Sequence, residues 1–78
     1  MTVKILFFGL IKDELGVSNV DFSYDGNNLE TLKEALYDEY ETLKSHTHAI
    51  AVNENITREN IDINDGDEIA FMPAFSGG

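Results

Sequence analysis

One amphipathic segment in the middle of the chain restricts the fold more than any other feature. It begins after Asn27 and Asn28, either of which can cap a helix. Apolar residues then recur at three- and four-residue steps, and charged residues fall largely on the opposite side. One such helix laid across one face of a mixed sheet satisfies the layer rule for a small α+β domain. The apolar side consists of Leu29, Leu32, Leu36, Tyr40 and Leu43.

Segments of alternating apolar and polar residues on both sides of the helix predict the strands of that sheet. Residues 2–8 alternate, with Val3, Ile5 and Phe7 on one face. Residues 68–72 alternate as well, and Pro73 ends that strand because proline has no N–H to donate. Between them we predict a helical turn over 10–15, strands at 20–24 and 48–53, and a short edge segment or turn around Ile61 and Ile63.

This order of elements predicts an α+β domain with the ubiquitin-like β-grasp arrangement. We expect a mixed sheet of about five strands, with one main helix packed on one face. The first and last strands both carry strong apolar faces and are expected to lie side by side in the middle. The β-grasp domain is predicted to span residues 1–73, and an extended, flexible C-terminal tail is predicted for residues 74–78.

Charge and cysteine content exclude several kinds of function. The 78-residue chain has a net charge of −10, and its five Lys and Arg residues cannot supply the cations that nucleic-acid binding needs. Anionic membranes are disfavoured for the same reason. Because there are no cysteines, thiol nucleophiles and thiolate metal sites are excluded. The N-terminal apolar run is too short for a signal peptide, so we expect a cytoplasmic protein.

Few side chains form a pattern that could carry chemistry. His46 and His48 are one residue apart and could share a face, but the spacing suggests no third metal ligand. We therefore interpret them as polar connectors. Asp65, Asp67 and Glu68 resemble a calcium loop only loosely, and turn chemistry explains them better. No catalytic apparatus and no bound cofactor are predicted for the side chains of this chain.

The C-terminal Gly77 and Gly78 offer a different kind of chemistry. A tail without β-carbons is thin enough to enter a narrow channel of a partner enzyme. A carboxylate is a poor electrophile, but adenylation by ATP gives it a good leaving group that sulfur or another nucleophile can displace. An idle tail is the alternative interpretation, and a Gly-Gly pair alone does not separate the two.

An exposed apolar patch is predicted near the start of this tail. Alternation places Leu6 and Phe8 on the face of the first strand that the helix does not cover. The same parity places Ala70 and Met72 on the open face of the last strand. Exposed Phe and Met side chains together indicate a protein interface. A loop over 53–60, which carries Ile56, could instead cover them.

Three segments resemble the small subunit of molybdopterin synthase, a sulfur carrier of the ubiquitin-like β-grasp family. They are KILFFG at 4–9, AVN at 51–53 and DGDEIAFMPAFSGG at 65–78. The resemblance spans essentially the whole chain in length and element order. The family often has two prolines before the tail, and Ala74 occupies the second position here.

The resemblance implies a specific sulfur-transfer role. Family members are adenylated with ATP by an E1-like adenylyltransferase at the terminal glycine, which then becomes a thiocarboxylate. By this likeness Gly78 would carry the sulfur, and Gly77 would let the tail enter the partner. The large synthase subunit, commonly in a heterotetramer, supplies the catalytic side chains, and the carrier donates sulfur to cyclic pyranopterin monophosphate. The residues expected to contact the large subunit are Phe8, Ile56, Met72, Phe75 and Ser76.

Three other functions are compatible with the sequence. The sulfur carrier of thiamine biosynthesis shares the fold, tail and adenylation, but its chains tend to be shorter and lack the F-x-P region found at 71–73. A ubiquitin-like modifier would join its C-terminus to lysines of target proteins. An interaction domain with an inert tail would function without Gly78.

Overall fold

The computed structural model describes residues 1–45 and 48–73 of the chain. These ranges contain five strands, two α-helices and one 3₁₀ helix. The elements in chain order are β1 (Thr2–Phe7), α1 (Gly9–Leu15), β2 (Asn19–Ser23), α2 (Leu29–Glu39), the 3₁₀ helix Glu41–Ser45, β3 (His48–Val52), β4 (Asn55–Thr57) and β5 (Glu68–Pro73).

The five strands form one mixed sheet in the order β2-β1-β5-β3-β4. β1 and β5 are parallel neighbours, and the other three pairs are antiparallel. The prediction that the first and last strands lie together in the middle is therefore confirmed. With α2 as the main helix, the arrangement is the predicted ubiquitin-like β-grasp fold.

The core lies between the sheet and the helices, on the inner faces of β1 and β5. Along both strands, buried residues alternate with more exposed ones, as expected for a sheet that is covered on one side. The inner rings of Phe7 and Phe71 are in contact, with centroids 6.1 Å apart. The other large, fully buried side chains are Val3, Ile5, Ile11, Leu32, Leu36, Leu43, Ile63 and Ile69.

The main helix begins as predicted but ends earlier than its apolar pattern suggests. Of the two candidate caps, Asn28 takes the role, because its side-chain oxygen accepts a hydrogen bond from the backbone N–H of Thr31 at 3.0 Å. The α-helix ends at Glu39, and the chain continues in the 3₁₀ helix. Leu43 of the 3₁₀ helix is buried, so the apolar stripe that begins on α2 continues into the 3₁₀ helix.

Around Ile61 and Ile63, where we predict a short edge segment or turn, the chain forms an isolated bridge and no strand. The short edge strand is β4, which pairs with β3 and precedes that segment. Ile63 is fully buried, and Asp62 forms an isolated bridge with Asn28 beside the start of α2. The segment therefore packs under the helix N-terminus.

The predicted helical turn after β1 is a short helix, α1. It ends at Gly16, which has a φ of 75° and whose N–H donates to the carbonyl of Lys12. None of the helices in residues 1–45 and 48–73 has the length and apolar character that a membrane span requires.

Candidate functional site

The face of the sheet opposite α2 carries the predicted apolar patch. Leu6 of β1 lies opposite Ala70 of β5 in the parallel register, and both point away from the core. Phe8 follows β1 directly and is 45% exposed. Met72, two residues beyond Ala70 on the same face, is half-buried. The two central strands thus present large apolar side chains toward solvent, as their alternation predicts.

The loop that could have covered this patch leaves it open. Residues 55–57 form β4, where Ile56 pairs with Ala51 of β3. Ile56 is 66% exposed, so it extends the apolar surface sideways and does not close over Phe8. The short strand, which the sequence did not reveal, is what places Ile56 on this face.

Together these residues line an open groove of about 460 Å³ across four strands. We call it the docking groove. Its floor is apolar, and two glutamates lie along it, neither of which the sequence analysis assigned to the patch. Glu68 could have been found, because it shares the parity of Ala70 and Met72 on β5. The lining residues are Leu6, Phe8, Ala51, Glu54, Ile56, Glu68, Ala70 and Met72.

One end of the docking groove lies where β5 ends. Pro73 is the last residue of β5 and lies opposite His48 of β3. Gly9, with a φ of 62°, packs so closely against Pro73 that a β-carbon at Gly9 would collide with the proline ring. The apolar end of the groove is therefore next to the point from which the C-terminal segment leaves.

The tail itself, and with it several predicted site residues, lies outside the described residues. This applies to the predicted tail over 74–78, to the acyl carrier residues Gly77 and Gly78, and to the predicted contacts Phe75 and Ser76.

Of the two histidines that the sequence places one residue apart, His48 lies in the part of the chain that the structure describes. His48 lies on the inner side of the sheet, where its Nε2 and the Tyr37 Oη share a hydrogen bond of 3.0 Å. Its ring also packs on Phe71, with centroids 5.0 Å apart. No group of three or more potential metal ligands occurs among residues 1–45 and 48–73. His46 lies outside these ranges.

The aspartates before β5 stabilise the local backbone. Asp65 Oδ1 accepts a hydrogen bond from the N–H of Thr2 at 2.8 Å, which ties the turn to β1. Asp67 Oδ2 accepts from the N–H of Asn64 at 2.8 Å, and its Oδ1 accepts from the Asn53 side chain at 3.1 Å. These bonds engage the carboxylates in turn formation, as the sequence indicates.

Comparison with known proteins connects the chain to one family. The ThiS family profile matches residues 5–78. A curated relative, the molybdopterin synthase sulfur carrier subunit of Mycobacterium tuberculosis, is 32% identical over 81 residues. That alignment covers 97% of this chain and 96% of the relative.

Two solved structures resemble the chain over nearly its whole length. One is a complex of subunits 1 and 2 of the molybdopterin-converting factor from Helicobacter pylori, matched at a TM-score of 0.74 and 34% identity over all of both chains. The other is the small archaeal modifier protein 1 of Methanosarcina acetivorans, at a TM-score of 0.80 and 24% identity, covering 99% of this chain and 96% of that one. The second likeness shows the fold alone.

Proposed function

The chain belongs to the ThiS family, and on that premise we propose that it is the sulfur carrier subunit of a molybdopterin synthase. The observation that carries this proposal is the end-to-end likeness to a curated relative with that name, at 32% identity over 97% of this chain. The open apolar groove beside the end of β5 supports it, because a carrier must dock on other proteins.

In this proposal Gly78 is the reacting residue. Its carboxylate oxygen attacks the α-phosphorus of ATP in an E1-like adenylyltransferase, pyrophosphate leaves, and an acyl adenylate forms. Sulfur from hydrosulfide or its equivalent then attacks the acyl carbon, and AMP leaves with one of the original carboxylate oxygens. A thiocarboxylate remains, and Gly77 keeps the chain thin enough for a partner to admit it.

The loaded carrier then docks on the large synthase subunit and donates its sulfur to cyclic pyranopterin monophosphate. Hydrolysis restores the carboxylate for another cycle. The catalytic side chains belong to the partner, since the carrier needs only its tail and a docking surface. We assign that surface to Phe8, Ile56 and Met72 of the docking groove, with Phe75 and Ser76 contributing from the tail. The solved complex of two subunits from Helicobacter pylori supports a large-subunit partner.

The remaining parts of the proposal concern assembly and location. We propose a heterotetramer of two small and two large subunits in the cytoplasm. ATP is used by the activating partner, and this chain itself holds no cofactor or metal.

A protein-modifier role is the second candidate, because the fold is shared with a small archaeal modifier protein. The two roles begin with the same activated glycine and differ in the step that follows activation. A modifier would form an amide bond with a lysine of a target protein, whereas a carrier keeps a free thiocarboxylate until sulfur leaves. The thiamine-pathway carrier would also form the thiocarboxylate and differs in the final sulfur acceptor.

Sulfur loading tests the proposed chemistry directly. The chain is incubated with ATP, a cognate adenylyltransferase and a sulfur source, and its intact mass is measured. The proposal predicts replacement of one oxygen by one sulfur, localised to Gly78 by fragmentation. A matched variant that lacks Gly78 should gain no sulfur. An unchanged mass in the full chain, or loading without Gly78, would refute the proposal.

A further inference from the structure

The docking groove has two chemically different ends. Phe8 and Met72 lie at the end where β5 finishes, whereas Glu68 is the first residue of β5 at the other end. Met72 is four residue steps along the extended strand from Glu68, which corresponds to roughly 13 Å. The groove is therefore apolar next to the start of the C-terminal segment and acidic farther from it.

Glu54 lies at the same acidic end. The backbone N–H of Asn53 donates to the carbonyl of Glu68 at 2.7 Å, and the N–H of Glu68 donates back to the Asn53 side-chain oxygen at 3.0 Å. These two bonds hold the turn between β3 and β4 against the start of β5. Glu54, the second residue of that turn, therefore joins Glu68 in the groove lining.

The turn places Glu54 in a backbone conformation that glutamate rarely adopts. Asn53 has a φ of 50° and Glu54 a φ of 72°. Two-residue hairpin turns of this kind favour glycine at the second position, because a β-carbon is strained at positive φ. Glycine would therefore be less strained than glutamate at position 54. What the glutamate adds at this position is a carboxylate in the groove.

Neither carboxylate is engaged within the part of the chain that the structure describes. No ion pair and no hydrogen bond joins the carboxylate of Glu54 or the carboxylate of Glu68 to another described residue. Lys4 lies opposite Glu68 in the β1–β5 register, but it also lies opposite Asp21 of β2 and does not line the groove. A partner that covered the groove without cations would have to desolvate both carboxylates without compensation, which costs free energy.

We propose that the partner surface that covers this groove presents lysine or arginine side chains to Glu54 and Glu68, and apolar side chains to Phe8 and Met72. The inference rests on the proposed function, in which the large synthase subunit covers the groove. The two ends have different roles. The apolar end supplies most of the affinity, and the acidic end sets the orientation of the partner and selects against acidic surfaces.

Charge reversal at the groove tests this inference. The affinity of the full chain for the cognate large subunit is measured by calorimetry for the wild type, Glu54→Lys, Glu68→Lys and a control. The control is Glu34→Lys, which makes the same change in net charge at an exposed position of α2, on the other side of the sheet. We expect the affinity of each groove variant to be lower than that of the wild type by at least about tenfold. The affinity of the control should stay within about twofold of the wild type.

A second variant separates lost contacts from a damaged fold. Glu54→Gly removes the carboxylate and relieves the strained backbone, so its thermal midpoint should equal or exceed that of the wild type while its affinity falls. Groove variants that bind as well as the Glu34→Lys control would overturn this inference and leave the proposed function intact. A wild-type chain that loads sulfur but does not bind the large subunit would overturn the synthase role, and this inference with it.

Discussion

The inner and outer faces of the central strands both carry large apolar side chains but differ in exposure. On the inner face, Phe7 and Phe71 are 1% and 0% exposed beneath the helices. On the outer face, Phe8 directly follows Phe7 in the sequence and is 45% exposed. Both faces are apolar enough to be buried, yet the chain covers only one of them. The difference shows that apolar character alone does not decide whether a side chain is buried.

The inner and outer faces of the sheet also differ in their polar residues. No polar or charged residue is buried in the described part of the chain. The outer groove combines an apolar floor with Glu54 and Glu68. A surface of this composition suits a partner that arrives from water and supplies complementary charges, whereas the inner face suits permanent burial.

The largest predicted effect compares two neighbouring phenylalanines. Phe7→Ala should lower the free energy of unfolding by about 3–5 kcal/mol, because it leaves a cavity against Tyr40 and Phe71. Phe8→Ala should change it by less than about 0.5 kcal/mol, because Phe8 lies at the surface. Urea unfolding followed by circular dichroism measures both. Equal losses would show that the two faces do not differ as described.

The next effect concerns partner binding. Phe8→Asp and Met72→Asp should each weaken binding to the large subunit by about 2 kcal/mol, because a charge replaces an apolar contact at the apolar end of the docking groove. Both variants should remain folded. Val17→Asp is the control, since it adds the same charge at an exposed apolar position outside the groove. Unfolding of the Phe8 variant would show instead that this side chain belongs to the core.

The smallest effect concerns a polar atom on the helix-covered side. Tyr24 is only 9% exposed, and its buried hydroxyl has no hydrogen-bond partner among the described residues. Tyr24→Phe should therefore leave the free energy of unfolding unchanged or raise it by up to about 1 kcal/mol. A loss of stability greater than about 1 kcal/mol would mean that the hydroxyl is bonded after all.

The same variant should change the response to alkaline pH. Burial raises the pKa of Tyr24 above its ordinary value of 10.0, and Asp67 raises it further. The folded state therefore holds this proton more tightly than the unfolded state. The contribution of the protonated Tyr24 to stability is complete below about pH 10. It is lost as the pH rises through the pKa of Tyr24 in the folded state. Unfolding curves between about pH 9 and about pH 11 should show a shallower decline for Tyr24→Phe than for the wild type.

Much of the fold could be predicted because its central elements have strong periodic patterns. Val3, Ile5 and Phe7 recur at every second position of β1, as Ile69 and Phe71 do in β5, and the pairing of these strands follows from their apolar faces. The same alternation places Phe8 and Met72 on the open side of the sheet. Long, regular patterns predict structure well because many positions agree.

The missed features lie where patterns are short or ambiguous. β4 has only three residues, too few to show alternation, and the turn before it uses Asn53 and Glu54 without a glycine. The end of α2 was missed because Tyr40 and Leu43 continue the apolar spacing into the 3₁₀ helix. Glu54 could not be assigned to the groove from the sequence, because its position depends on β4.

Transfer of labelled sulfur from the carrier to product tests the central claim most directly. The chain is loaded with isotopically labelled sulfur and mixed with the cognate large subunit and cyclic pyranopterin monophosphate. The product and the carrier are then analysed by mass spectrometry. We predict that the label appears in the dithiolene of molybdopterin while Gly78 returns to a plain carboxylate. Label that stays on the chain, or a chain that becomes attached to lysines without transferring sulfur, would contradict the account.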